Sequence, residues 1–402
     1  MIKNVLGDNT MFYETQPIEL REKYKKMLTI IGNLTLLFSE SPCPYLPYRC
    51  HENIFCKYLE AKNLARSDCS ADAKKDDIGI GLKTWMGNDD QKVAEFGRLR
   101  ETYENLTGIE LIKKIAEYRN ERIRITKNLH GISEMIYHIV KRVPGAMQIL
   151  EHTFDYIDIS NISIINNRGN VNNTYFSDGK HTYHFSSSKN TLYMIFSEME
   201  LLDSFNVEIM ADPYSFLMQA FDDDRETATN MLNQQTTDTP LPTIINRENS
   251  ICLRLYSVKS DGTKFVPEKS GLNQWNASGR PRNPNEIYIP YPAEDRRRTV
   301  NFFPPRDTVF NLKFPDGTVI PTKVCQQDGK AIMSNPNKIL GEWLLRKVFE
   351  LSERTIVTYR MLEIFGIDSV IFQKIGELEY SIDFAEVGTY EQFYNESTDN
   401  SN

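Results

Sequence analysis

A polar stretch near the middle of this 402-residue chain is the feature that most constrains its fold. It opens with Asp222-Asp223-Asp224-Arg225 and ends in Thr-Thr-Asp-Thr-Pro-Leu-Pro, with few side chains that can pack. Such a composition is typical of a linker, because it buries too little apolar surface to fix its backbone. The sequence therefore predicts a first domain at 1–222, a linker at 223–245 and a second domain at 246–385.

Charge is distributed unevenly between these parts. From Arg247 to Lys347 there are 17 Lys and Arg residues against 10 Asp and Glu, whereas the whole chain carries a net charge of −8. After Lys374 there are seven acidic residues and no basic one, which predicts a solvated acidic tail at 386–402. A basic module in an acidic chain indicates one surface meant for a polyanion.

Membrane and secretion signals are missing from the sequence. No apolar run approaches the roughly 20 residues that a membrane span needs, and the N-terminus lacks the basic-then-apolar order of a signal peptide. With 40% apolar and 25% charged residues, the composition is that of an ordinary globular protein. We therefore expect a cytoplasmic protein without a membrane partner.

The two halves differ in their predicted elements. The first half is expected to be mixed α/β, with helices at 13–38, 51–64 and within 91–142, and with strands between 154 and 196. The second half predicts short strands at 251–258, 286–291, 308–314 and 318–325, followed by a helix at 338–350. This order of elements is typical of a small β-barrel with a helix attached.

Residues 52–95 hold the groups that a metal-dependent phosphodiesterase needs. Asp68 and Asp72 lie just upstream of a short predicted strand, Gly79-Ile80-Gly81-Leu82-Lys83. Carboxylates hold Mg²⁺ against a phosphate, and a lysine offsets the negative charge that develops on it. The second acid would usually stand two residues before the lysine, on the same face of the strand. That position is Gly81, so another element must supply the acid.

Two acidic residues are candidates for this substitution. Glu95 follows in Gln91-Lys92-Val93-Ala94-Glu95, which predicts the start of a helix with Gln91 and Glu95 on one face. Glu52 lies near the start of the helix predicted at 51–64. Acids before a strand also mark ordinary turns, so a structural role remains the alternative.

These segments resemble the catalytic region of type II restriction endonucleases of the PD-(D/E)xK superfamily. The resemblance rests on residues 63–68, 71–73, 79–84 and 92–96, and is greatest to members whose second acid has moved to a helix. It implies that Asp72 is the first metal ligand, with Asp68 as its rival, that Lys83 is the motif lysine, and that Glu95 is the relocated acid and second metal ligand. It also implies Mg²⁺ as the cofactor.

A polar loop in the second domain is equipped to read DNA. Residues 269–286 interleave Arg, Asn, Gln and Trp with glycines and prolines. Arginine matches the guanine edge and Asn or Gln matches adenine, so such a loop suits the major groove. The alternative is a flexible polar surface loop.

This loop, with the segments at 287–292, 302–307, 310–318 and 330–338, resembles the C-terminal DNA-recognition domain of some restriction enzymes, a pseudobarrel akin to the plant B3-like fold. The resemblance implies two arms that grip the major groove, near 271–286 and 327–338. The residues expected to contact DNA are Asn273, Trp275, Arg280, Arg282, Lys330, Asn335 and Lys338.

Together, these patterns predict a type II restriction endonuclease, in which an α/β nuclease domain is joined to a B3-like domain and hydrolyses double-stranded DNA with Mg²⁺. A homodimer is expected from the symmetry of double-strand cutting. A cognate DNA methyltransferase would act on the same site without binding the nuclease. The alternatives are a DNA-binding regulator without catalysis, which Gly81 favours, and a nuclease that depends on DNA modification.

Overall fold

The computed structural model of the chain describes residues 11–64, 70–87, 90–165, 173–197, 199–223 and 249–395. The predicted linker at 223–245 and the candidate ligand Asp68 lie outside these residues, apart from position 223. Within the described ranges, no helix combines the length and apolar character needed to cross a membrane.

Helices and strands are interspersed along the chain. The helices are α1 (Phe12–Thr15), α2 (Ile18–Asn33), α3 (Tyr48–Tyr58), α4 (Gly108–His130), α5 (Pro213–Asp223), α6 (Ala293–Arg298), α7 (Ile339–Gly341), α8 (Tyr359–Phe365) and α9 (Thr389–Asn395). The strands of the first half are β1 (Lys62–Asn63), β2 (Ala73–Lys75), β3 (Ile78–Trp85), β4 (Gln91–Glu95), β5 (Glu134–Val143), β6 (Ala146–Thr153), β7 (Ser163–Ile165), β8 (Asn173–Ser177), β9 (Thr182–Ser186), β10 (Thr191–Ile195) and β11 (Leu201–Asn206). Those of the second half are β12 (Ser250–Arg254), β13 (Ser257–Val258), β14 (Lys264–Phe265), β15 (Ile289–Pro290), β16 (Val309–Lys313), β17 (Val319–Cys325), β18 (Ala331–Ser334), β19 (Ile367–Lys374) and β20 (Glu379–Glu386).

The described residues divide into two compact units that interleave along the chain. The first comprises those up to Leu64, from Ala71 to Glu95 and from Glu134 to 223. The second comprises Ser70, Phe96–Ser133 and the residues from 249 onwards. Helix α4 thus belongs to the second unit, although it precedes most of the first unit's strands. The predicted domain limits at 222 and 246 stay predictions, because a division by contacts does not test them.

A six-stranded sheet with the order β1-β2-β3-β5-β6-β11 forms the centre of the first unit. Strands β3 and β5 run parallel, and the other neighbours are antiparallel. One face buries Ile80 and Leu82 against aromatic side chains of the first three helices, Phe12, Tyr24 and Phe55. This packing fixes α3 beside β3, and β3 carries the predicted motif lysine.

A second sheet of the first unit has the order β4-β10-β9-β8-β7. The helix predicted at residues 91–95 is wrong: this segment is strand β4, paired antiparallel with β10 from Thr191↔Glu95 to Met194↔Gln91. The helical prediction for the end of 91–142 also fails, because β5 spans Glu134–Val143. A partner strand outweighs weak helical spacing in both places. Helix α4 and the strands between 154 and 196 agree with the prediction, whereas the helix predicted at 51–64 ends at Tyr58 and is followed by β1.

A seven-stranded sheet with the order β12-β19-β20-β16-β17-β18-β15 forms the second unit. Its end strands β12 and β15 contact each other, so that the sheet nearly closes into a barrel. The strands predicted at 308–314 and 318–325 are confirmed as β16 and β17. The segment predicted at 251–258 is divided between β12 and β13, and of 286–291 only β15 is a strand. The predicted helix at 338–350 is α7 continued by a π-helical stretch, Glu342–Val348. Ile125 and Leu129 of α4 complete the barrel's core.

The C-terminal acidic segment is not a wholly solvated tail. Residues 389–395 form α9, whose Tyr390 is buried and donates a hydrogen bond to Asp295 over 2.7 Å. Glu391 pairs with Lys264 at 2.7 Å. The prediction failed here because aromatic residues stand between the acids and anchor the segment to the barrel.

Candidate active site and DNA-reading cleft

Asp72 immediately precedes β2 and lies beside β3. Its backbone N–H donates to the Ile80 carbonyl and its own carbonyl accepts from Leu64 N, both over 2.8 Å. Its carboxylate oxygen Oδ2 accepts from the Leu82 N–H over 2.7 Å. The Asp72 carboxylate thus accepts a hydrogen bond that the backbone of a neighbouring strand would otherwise accept from β3. This contact holds the carboxylate at Leu82, one residue before Lys83.

Glu52 reaches the same place from helix α3. Its side chain is 9% exposed and pairs with Arg49 at 2.9 Å. Burial and the nearby Asp72 carboxylate raise the pKa of Glu52, while Arg49 and Lys83 act in the opposite direction. Glu52 and Asp72 together also help to raise the pKa of the Cys56 thiol to about 12, after burial as the main cause. Glu52, Asp72 and Lys83 therefore share one electrostatic neighbourhood.

The structure explains why Gly81 cannot be an acid. A Cβ atom at Gly81 would lie 2.8 Å from the Tyr137 ring and 3.0 Å from Phe154. These two rings stack with centroids 4.1 Å apart. The close approach that a glycine in a strand often marks is made here by an aromatic side chain of the neighbouring strand. The Lys83 ammonium lies over the Tyr137 ring, 5.9 Å from the ring centroid.

Glu95 stands elsewhere in the first unit. It is an exposed residue at the end of β4, on the other sheet, and pairs with Lys92 at 2.5 Å. Since the segment is a strand and not a helix, the geometric reason for choosing Glu95 is gone. The sequence did name Glu52 as a further candidate, and the structure brings Glu52 to Asp72 and Lys83.

A buried chain of polar side chains fixes helix α3 and was missed at the sequence level. Tyr24 Oη lies 2.8 Å from His51 Nε2 and 3.1 Å from His138 Nε2, and His138 Nδ1 lies 3.1 Å from Glu151. Burial, with His138 nearby, lowers the pKa of His51 well below its usual range. The members come from distant parts of the sequence, so no local spacing could reveal them.

In the second unit, the two predicted arms line one cleft of about 710 Å³. From the first arm come Gln274, Arg280, Arg282 and Glu286; from the second come Met333 to Asn337; and Lys323, Cys325 and Gln326 lie between them. With three cations and one carboxylate, the cleft has a net charge of +2. The arms thus face a common space, and Arg280, Arg282 and Asn335 are the predicted contact residues that line it.

The other predicted contact residues have different surroundings. Asn273 is fully buried: its amide donates to the carbonyls of Pro267 and Val357, and its oxygen accepts from Val357 N. Trp275 packs against the barrel's core. The structure therefore gives Asn273 a packing role, contrary to the predicted DNA contact. Trp275 is half-buried, and its contact with DNA stays a prediction. Lys330 and Lys338 are exposed, and Lys338 pairs with Glu342 at 3.1 Å.

The nearly closed sheet and the cleft between two arms agree with a comparison against protein families. Residues 247–376 match the NgoFVII C-terminal B3-like DNA-binding domain. This match supports a DNA-binding domain of the kind that a restriction enzyme carries. None of the curated proteins matches the chain.

Proposed function

We propose that the chain is a sequence-specific, Mg²⁺-dependent endonuclease for double-stranded DNA, of the type II restriction kind. The B3-like region reads the DNA and the first unit hydrolyses it. The observation that carries the catalytic half is geometric: the buried Glu52 lies on α3, which packs beside β3, and the Asp72 carboxylate accepts from the Leu82 N–H next to Lys83. The influence of Asp72 and Lys83 on the pKa of Glu52 agrees with this placement. Two acids and one lysine in one neighbourhood are the groups that this hydrolysis requires.

The acids suit Mg²⁺ by their chemistry. Both offer carboxylate oxygens. Burial, followed by the negative charge of Asp72, raises the pKa of Glu52, and a bound cation would act in the opposite direction. Among the residues that the structure describes, no three His, Cys, Asp or Glu side chains form a metal-binding group. Two carboxylates are nevertheless enough for Mg²⁺, which usually keeps waters and takes further ligands from a substrate phosphate. We assign Asp72 and Glu52 as the protein ligands, in place of Asp72 and Glu95.

In this proposal, water attacks a phosphodiester in line and the bond to the 3′-oxygen breaks, leaving a 5′-phosphate. Bound Mg²⁺ would stabilise the added negative charge on the phosphate. The Lys83 ammonium donates a hydrogen bond to a non-bridging oxygen of the same phosphate, and the Tyr137 ring beneath it limits where the ammonium can lie. Asp72 keeps its orientation through the Leu82 N–H.

Two partners complete the proposal. A homodimer would bring one such site to each DNA strand. A cognate methyltransferase would protect the same sequence in the host without binding the nuclease. Digestion of methylated and unmethylated templates distinguishes this arrangement from a modification-dependent nuclease, since only the latter would require the methylated template.

The test is digestion of a fully sequenced phage genome with the full chain and Mg²⁺, followed by sequencing of the ends. We expect 5′-phosphorylated ends at a fixed distance from one short sequence. Intact DNA under all conditions, together with specific DNA binding, would favour the second candidate, a DNA-binding regulator without catalysis. The small number of metal-ligating side chains in the described part of the site favours that candidate.

A further inference from the structure

A buried carboxylate lies in the wall of the DNA-reading cleft. Glu286 is 2% exposed, although a cleft that receives a polyanion would be expected to avoid negative charge. Three side chains surround it: Arg280 Nη2 donates to Oε1 over 2.6 Å, Arg282 Nε lies 3.4 Å from Oε1, and Asn337 Nδ2 donates to Oε2 over 2.9 Å. Since Asn337 belongs to the second arm, this one carboxylate joins both arms.

The two arginines around Glu286 do different work. The Arg282 side chain is 12% exposed, and its Nη1 donates to the carbonyls of Ala277, Ser278 and Arg280. Arg282 therefore shapes the first arm from inside. The Arg280 side chain is 55% exposed and lines the cleft. Its Nη2 donates to Glu286 and its Nη1 donates to the Pro281 carbonyl over 3.2 Å, which leaves further N–H groups of the fork for a ligand.

We infer that Arg280 reads a guanine in the major groove and that Glu286 is its positioning residue. The inference rests on the DNA-reading half of the proposed function. A guanidinium has five N–H groups in a rigid fork, so one edge can be held by a carboxylate while another edge meets O6 and N7 of guanine. The recognition sequence must then contain at least one G·C pair under the first arm.

Phosphate contact by Arg280 fits these observations less well. A phosphate contact depends on net positive charge, and the neighbouring Glu286 carboxylate cancels much of the charge of Arg280 at a distance. The Glu286 carboxylate instead fixes the orientation of the Arg280 guanidinium. Orientation matters far more for contact with a flat base edge than for contact with a phosphate. The Glu286 contact with Asn337 further fixes this orientation relative to the second arm.

Selection of binding sites from a random DNA library, with the full chain and without divalent metal, tests this assignment separately from cleavage. The variants are Arg280→Lys, which keeps the charge but loses the fork, and Arg306→Lys as a control. The Arg306 side chain is 59% exposed and pairs with Asp307. We expect Arg280→Lys to lose its guanine preference at one position by about 5- to 150-fold, with the other positions unchanged. The control should select the wild-type sequence.

Glu286→Gln tests the positioning role, because it keeps the size of the side chain and removes its charge. We expect it to weaken the preference at the same position as Arg280→Lys, and thermal unfolding checks that the variant remains folded. An equal loss of affinity for all sequences in either variant would overturn the inference, and so would an unchanged guanine preference in Arg280→Lys. A wild-type chain that selects no sequence would overturn the proposed function as well.

Discussion

Glu52 and Glu286 are both buried glutamates in a candidate site, but their neighbours differ in sign. Glu286 lies between two arginines and an asparagine amide, so its charge is satisfied within the protein. Glu52 has Arg49 as a partner but also feels the like charge of Asp72. A buried carboxylate that is paired serves to hold other groups in place. One that lies near a second carboxylate is suited to bind a cation, and this difference distinguishes the cleft of the second unit from the candidate catalytic site.

Removal of divalent metal should divide the two regions most sharply. We expect chelation to abolish cleavage completely. Without the metal ion, nothing would offset the repulsion among the negative charges of Glu52, Asp72 and the phosphate. Binding to DNA should persist, since the Arg280, Arg282 and Glu286 cluster contains its own counter-charges. Cleavage assays and gel-shift assays with and without chelator check this, and cleavage that survives chelation would contradict the assignment of the acids.

Lys83→Ala should reduce cleavage on the order of 1000-fold while DNA binding stays intact. The ammonium supplies charge stabilisation worth several kcal/mol to the phosphate in the transition state. Single-turnover digestion of a plasmid measures the rate. Lys92→Ala, which removes an exposed lysine paired with Glu95, is the matched control and should cut at the normal rate.

Glu52→Gln and Glu95→Gln decide which acid belongs to the site. We expect Glu52→Gln to slow cleavage by roughly 100-fold or more, because loss of a ligand charge weakens both the metal and its effect on the phosphate. Glu95→Gln should stay within about twofold of the wild type, as expected for an exposed ion pair. The opposite ranking of rates would restore Glu95 and exclude Glu52.

Asn273→Ala should act on stability and leave the choice of bases unchanged. It deletes buried hydrogen bonds to Pro267 and Val357, so the free energy of unfolding should fall by about 1–3 kcal/mol. Denaturant unfolding gives this value, and site selection gives the base preferences. A change at one base position without a loss of stability would show that Asn273 contacts DNA after all.

Much of the second unit follows from local sequence. Its strands are short alternating segments bounded by Pro, Gly and Asn, so their positions at 309–313 and 319–325 were expected. The polar arms were also recognisable, because Arg, Asn and Gln concentrate in loops. An acid four residues after the Arg-x-Arg pair is compatible with an ion pair at Glu286. Only the tertiary structure shows that Asn337 of the second arm binds the same carboxylate.

The first unit was less predictable because its site depends on partners distant in sequence. Residues 91–95 have helical spacing, yet pairing with β10 makes them a strand and removes Glu95 from a helix face. The sequence alone shows that Gly81 stands where the expected motif has its second acid. Only the stacking of Tyr137 on Phe154 explains this glycine, and only the packing of α3 beside β3 brings in Glu52.

The sequence by itself determined the residue types of both candidate sites, the basic second half and the strand that contains Lys83. Those properties depend on local composition and on the period of apolar residues. The tertiary structure decided which acid lies near Asp72, and which arginine of the first arm is exposed in the cleft. Both outcomes depend on burial and on contacts between residues far apart in the chain. A sequence pattern does not give the distances between such residues.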